Sequence, residues 1–87
     1  MIEKVMQIQL PTVLEARPVA MLVQVASKHD CSVYIEMGDK KVNAKSIMGM
    51  MSLGLSVGET VTVIADGSDE KKAVEEMEEY LIRGKVS

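Results

Sequence analysis

Three places along the chain hold side chains able to do chemistry. The first is Ser46, in the run Lys45-Ser46-Ile47-Met48-Gly49-Met50-Met51-Ser52-Leu53. A serine that opens a helix sets its hydroxyl beside free backbone N–H groups at the positive end of the helix dipole. A phosphate on that hydroxyl would be held by those groups and would add about 1.5–2 negative charges without melting the helix, so it would act as a surface label. Lys45 is adjacent, and Lys40 and Lys41 stand a few residues upstream. An ordinary N-cap serine satisfies the same pattern. The residues after Ser46 add a second feature. A helix of two turns cannot bury four large side chains on one side, so some of Ile47, Met48 and Met51 are expected to face water. Exposed methionine suits an adaptable protein-binding surface; filling of the core is the alternative.

The second place is Glu15-Ala16-Arg17-Pro18. A carboxylate just before a helix start is favoured by the dipole, whereas Arg17 in the first turn opposes it, which points to a ligand or a partner. The third is the pair His29 and Cys31. A lone histidine just past a helix end is favoured by the dipole and is usually a structural surface residue. Cys31 precedes a strand with no base near it in sequence, so nothing activates it. Glu75, Glu76, Glu78 and Glu79 are expected on the solvated side of the last helix. One cysteine and one histidine cannot supply four zinc ligands, and no glycine loop is built to cradle phosphate. Neither enzyme chemistry, a metal nor another cofactor is expected.

The elements that must position these residues follow from periodicity. Met6, Ile8 and Leu10 alternate with Gln7 and Gln9 as a half-buried strand, which Pro11 ends. Ala16 to Lys28 has helical spacing, with Pro18 near its start and Val19, Leu22, Val23 and Ala26 facing inward. Ser32 to Met37 is a strand with Val33, Ile35 and Met37 on one face; Gly38-Asp39 turns it, and Lys40 to Ala44 returns. Ser46 opens a short helix that Gly54 closes. Thr60 to Ala65 is a strand with Val61, Val63 and Ala65 in phase. Ser68 or Asp69 caps a last helix carrying Ala73, Val74, Met77, Tyr80 and Leu81, and Gly84 stops it. The order β-α-β-β-α-β-α with one-sided helices predicts an α+β fold: one four-stranded, mostly antiparallel sheet with the helices on one face.

Length and charge bound the function. Eighty-seven residues make one domain, 1–87, with a modest core. Net charge is −3, with two tyrosines and no tryptophan or phenylalanine. That is not the basic, aromatic surface of a nucleic-acid binder. No apolar run approaches a membrane span, no secretory leader is evident, and a single cysteine suits a reducing, cytoplasmic setting.

Two stretches together carry a specific resemblance: Leu14-Glu15-Ala16-Arg17-Pro18, and Lys41-Val42-Asn43-Ala44-Lys45-Ser46-Ile47-Met48-Gly49-Met50-Met51-Ser52-Leu53-Gly54. They resemble the HPr family, the small phosphocarriers of the bacterial sugar phosphotransferase system, and the resemblance runs over essentially the whole chain. It implies an open-faced β-sandwich, a four-stranded antiparallel sheet covered by three helices. Phosphocarriers of the family have a histidine just before Ala-Arg-Pro that carries the phosphoryl group; here that position is Glu15. His29 cannot replace it, since a twelve-residue helix puts it about 18 Å away. Histidine phosphotransfer is therefore expected to be absent.

The serine segment, by contrast, matches the family. Its serine is the one that a bifunctional HPr kinase/phosphorylase phosphorylates in many low-GC bacteria, and the phosphorylated form binds the catabolite control repressor (CcpA) as corepressor. The Crh-like branch (catabolite repression HPr) also lacks the histidine and keeps the serine, with Gln where this chain has Glu15. The resemblance thus implies that Ser46 is the regulatory phosphorylation site and that Arg17, Lys45, Ile47, Met48 and Met51 bind the kinase and the repressor, with no direct contact to nucleic acid or membrane. A homodimer by exchange of the first strand is also expected. Val13 replaces a glycine in the Gln9–Leu14 hinge, and a β-branched residue resists positive φ there. Two other readings stay open: a phosphocarrier using Glu15 as an acyl-phosphate site, and a scaffold-like paralogue with another partner.

Overall fold

Alternating strands can bury one face only if helices cover it. In the computed structural model, which describes residues 1–9, 16–53 and 58–83 (for 16–19 the backbone alone), they do. The strands are β1 (Ile2–Gln7), β2 (Cys31–Met37), β3 (Lys40–Asn43) and β4 (Thr60–Gly67). They form one sheet in the order β1-β4-β2-β3, with every neighbouring pair antiparallel. The helices are α1 (Ala16–Ser27), α2 (Ile47–Ser52) and α3 (Glu70–Glu78), the last continued by a π-helical turn at Glu79–Arg83. This is the expected open sheet with three helices.

Register explains the core. Met6 pairs with Val61, Val33 with Ala65 and Ile35 with Val63, so all six side chains fall on the covered face and are buried. Ile64 lies in the opposite row, between Glu3 and Tyr34, and is nonetheless 5% exposed. On that face Lys41 Nζ sits 4.9 Å from the centre of the Tyr34 ring, a cation–π contact. From α3 and the turn that continues it, Ala73, Val74, Met77, Tyr80 and Leu81 all enter the core, as their spacing predicts.

Several elements differ from expectation: β3 stops at Asn43 and β4 runs on to Gly67, and three others differ in what they pair or bury. β1 begins at Ile2 rather than Met6, because its ladder with β4 runs from Ile2↔Ala65 to Gln7↔Thr60 although little of it is buried. An edge strand takes its hydrogen bonds from one neighbour and needs no strict apolar alternation. Lys4, on its helix-side row, is held at the margin by Glu78, 2.7 Å away. In α1 the buried stripe is Leu22, Val25 and Ala26, with Val23 only partly covered. β2 gains Cys31, which pairs with Gly67 so closely that a Cβ on Gly67 would lie 2.6 Å from Cys31 Cβ. The hairpin is as expected: Met37 pairs with Lys40 across a two-residue turn in which Gly38 has φ +63°. Leu10, Pro11, Gly54 and Gly84, together with the side chain of Val19, lie outside the described residues.

Candidate functional site

The short helix α2 is held from inside and open outside. Ser46 is its N-cap, with extended backbone (φ −106°, ψ 116°). Its Oγ accepts a hydrogen bond from the Gly49 N–H at 3.3 Å, and its carbonyl accepts from the Met50 N–H at 3.0 Å. The residue is exposed, so the hydroxyl is within reach of a partner. Met50, fully buried, and Leu53 anchor the helix in the core. Ile47, Met48 and Met51 point the other way and are 44%, 82% and 51% exposed. Ile47 and Met51 are four residues apart and Met48 and Met51 three, so they form one continuous patch beside Ser46.

Lys45, immediately before the cap, is half-buried. Its backbone N–H donates to Asn43 Oδ1 at 2.8 Å, which shapes the turn into α2. Its ammonium donates to the His29 carbonyl, also at 2.8 Å. The charge nearest Ser46 in sequence is therefore tethered to the end of α1. Lys41, engaged over Tyr34, belongs to the open sheet face.

His29 itself corrects the sequence reading. It is 6% exposed rather than a surface residue. It stands seven residues after Leu22, so it continues the inward stripe of α1 past the helix end; that spacing was the available signal. Its Nδ1 lies 2.6 Å from Asp69 Oδ2 and its Nε2 3.4 Å from Glu76 Oε1. Lys28 Nζ reaches the same Glu76 oxygen at 2.9 Å. The hydrogen bond from His29 holds the Asp69 carboxyl below its usual range, against a smaller opposing effect of desolvation. Asp69 is the N-cap of α3, yet its side chain makes no cap bond, being turned to His29. Glu76 is thus half-buried in this cluster instead of lying on a solvated face, and Glu78 is engaged by Lys4. Burial pushes the Cys31 thiol up, with Lys45 opposing it, so its thiolate is disfavoured.

Glu15, the hinge residue Val13 and the side chain of Arg17 lie outside the described residues. Among the described residues, no three His, Cys, Asp or Glu side chains are grouped to hold a metal ion. No helix among them is long and apolar enough to cross a membrane.

Comparison with known proteins accounts for this arrangement. The family model described as the PTS HPr component phosphorylation site matches residues 2–83. The HPr-like protein Crh of Halalkalibacterium halodurans is 49% identical over 75 residues, 86% of this chain and 89% of that protein. Crh of Bacillus subtilis is 47% identical over 81 residues, 93% of this chain and 95% of its own. Its crystal structure, described as a domain-swapped dimer, superposes with a TM-score of 0.78 over the full length of both chains. The structure of HPr-C-His from Thermoanaerobacter tengcongensis superposes at 0.89, with 43% identity and full coverage of both chains. With its open sheet, its serine-capped α2 and its matched length, the chain belongs to the HPr family.

Proposed function

We propose that this protein is a regulatory, Crh-like member of the family and not a phosphocarrier. Ser46 is phosphorylated by an HPr kinase/phosphorylase, and the phosphorylated form is the corepressor of a CcpA-type repressor in carbon catabolite repression. The observation that carries this reading is the exposed Ser46 hydroxyl beside the outward patch of Ile47, Met48 and Met51. The kinase docks on the patch and reaches the hydroxyl. The phosphate then meets basic side chains of the repressor in charge-assisted bonds while the patch forms the apolar centre of the interface. Arg17 adds an ion pair with the repressor, and Lys45, just before the cap, must leave the His29 carbonyl to join the contact. The protein has no catalytic step of its own, touches no DNA or membrane, and works in the cytoplasm. Glu15 stands where the family carries its phosphohistidine, and its main effect is to disable that relay. The swapped dimer described for Bacillus subtilis Crh supports a homodimer here as well, in which β1 is the element exchanged.

Incubation with the kinase and ATP tests the central step. The wild type should take up one phosphate and Ser46→Ala none; labelling of the variant would remove the hypothesis. The phosphorylated protein should bind the repressor at least tenfold more tightly than the unmodified form. Glu15→His should restore phosphate acceptance from phosphoenolpyruvate and enzyme I, and continued inactivity would show that further residues have diverged.

A further inference from the structure

The run Met48-Gly49-Met50-Met51 separates its three sulfurs sharply. Met50 is fully buried in the core, whereas Met48 is 82% and Met51 51% exposed, three residues apart on one face of α2. Elsewhere Met6 and Met77 are buried, Met21 and Met37 are partly covered, and Met1, 70% exposed, has its amino group at Asp66 and Glu70. Thioether oxidation follows exposure, because the oxidant must reach the sulfur lone pair. We propose that Met48 and Met51 are a paired oxidation site, and that hydroperoxides convert the apolar patch beside Ser46 into a polar one and so switch off docking of the phosphorylated protein. This inference rests on the patch being the repressor-binding surface argued above.

The chemistry is self-contained. The sulfur lone pair attacks the distal oxygen of a hydroperoxide, the O–O bond breaks and an S–O bond forms. Sulfur loses two electrons, and the peroxide is reduced to an alcohol, or to water when the oxidant is hydrogen peroxide, with the peroxide proton ending on the leaving oxygen. Each sulfoxide adds a strong hydrogen-bond acceptor that must be desolvated when a partner covers it. Two acceptors at the centre of a small interface oppose binding far more than at its rim. Because Met50 and Leu53 anchor α2 from the inside, the helix survives while its outer face changes. Methionine sulfoxide reductases reverse the step, so the site is a switch and not simply a lesion. Oxidation of the free thiol of Cys31 to a sulfenic acid or disulfide is reversed by dithiothreitol, which distinguishes it from methionine sulfoxide.

The test uses the intact folded protein and hydrogen peroxide. Peptide mass mapping over time should show Met48 and Met51 gaining one oxygen each at least tenfold faster than Met50, Met6 and Met77. Equal rates for Met48 and Met50 would overturn the proposal. Repressor binding by the serine-phosphorylated protein is then measured before and after oxidation. It should fall at least tenfold and return on treatment with the two reductases, but not with dithiothreitol alone. In a Met48→Leu/Met51→Leu variant the affinity, whatever its starting value, should no longer change on peroxide treatment, while Met21→Leu should leave the response intact. Undiminished binding by the oxidised protein overturns the switch alone. Failure of the unoxidised phosphoprotein to bind overturns the corepressor reading, and the switch with it.

Discussion

The outer face of α2 and the cluster around His29 treat side chains in opposite ways. On α2, large apolar groups stand exposed to water, next to a hydroxyl that makes a local cap bond. Around His29, one buried ring gathers partly exposed charges that are matched to one another: Asp69 on one ring nitrogen, Glu76 facing the other, Lys28 on Glu76. Exposed apolar surface costs a monomer little and favours association, so it marks a place where something else binds. Inward-facing charge is costly unless paired, so its partners mark a place that holds the molecule together. The two meet at Lys45, whose position before Ser46 and bond to the His29 carbonyl tie the docking segment to the junction of α1 and α3.

The largest effect that would sharpen this contrast lies within α2 itself. Met50→Ala removes a fully buried side chain and should cost about 2–5 kcal/mol of unfolding free energy. Met48→Ala, two residues earlier, should change stability by no more than about 0.5 kcal/mol while weakening partner binding. Urea unfolding of both variants measures the difference. Equal losses would mean that the outer face is part of the core and would break the comparison.

The next effect belongs to the other region. His29→Ala removes a buried ring and leaves Asp69 and Glu76 facing each other without it, and should cost about 1–3 kcal/mol. The variant should keep Ser46 phosphorylation by the kinase. Loss of labelling at unchanged stability would show that the cluster belongs to the docking site.

Most of this architecture was legible in the sequence, and the reasons are physical. The α3 positions Ala73 to Leu81 and the β4 positions Val61, Val63 and Ala65 repeat at the periods of helix and strand, so burial followed from spacing. That some of Ile47, Met48 and Met51 face outward followed from counting how many large side chains two turns can hide; that all three do is fixed by Met50 and Leu53 taking the inner side. β1 was harder because an edge strand is fixed by its neighbour's backbone, and Ile2-Glu3-Lys4-Val5 carries little pattern of its own. The burial of His29 was missed because dipole reasoning treats a residue past a helix end as solvated, whereas Asp69 and Glu76 come from a helix forty residues later. Pairing across that distance has no local signal beyond the position of His29 in the α1 stripe.

A smaller effect concerns the cap. Ser46→Ala deletes the acceptor for the Gly49 N–H and should cost about 1 kcal/mol, less than the loss of the Met50 anchor. That ordering says α2 is held chiefly by its buried side chain, so a phosphate on Ser46 changes the surface without unfolding the segment. A cap contribution equal to that of Met50 would instead make phosphorylation a structural switch of the helix.

The smallest effect is in acid, and it separates the paired carboxylate from the others. Asp69 is held below its ordinary value of 3.8, first by its hydrogen bond with His29. Between its folded and unfolded values the unfolded chain binds more protons, so stability rises with pH across that interval. The Asp69 contribution is therefore complete above about pH 4 and is lost as pH falls through the folded value. Glu70 behaves in the same sense from 4.5 downward, held chiefly by the backbone N–H of Gly67. Thermal melts from pH 6 to pH 2 should show a shallower fall for Asp69→Asn than for the wild type, with Glu70→Gln flattening a separate part of the curve. Because both groups touch solvent, each change should be modest. An unchanged slope in Asp69→Asn would mean that the bond to His29 adds nothing to folding, leaving the ring's packing and its approach to Glu76 to account for its burial.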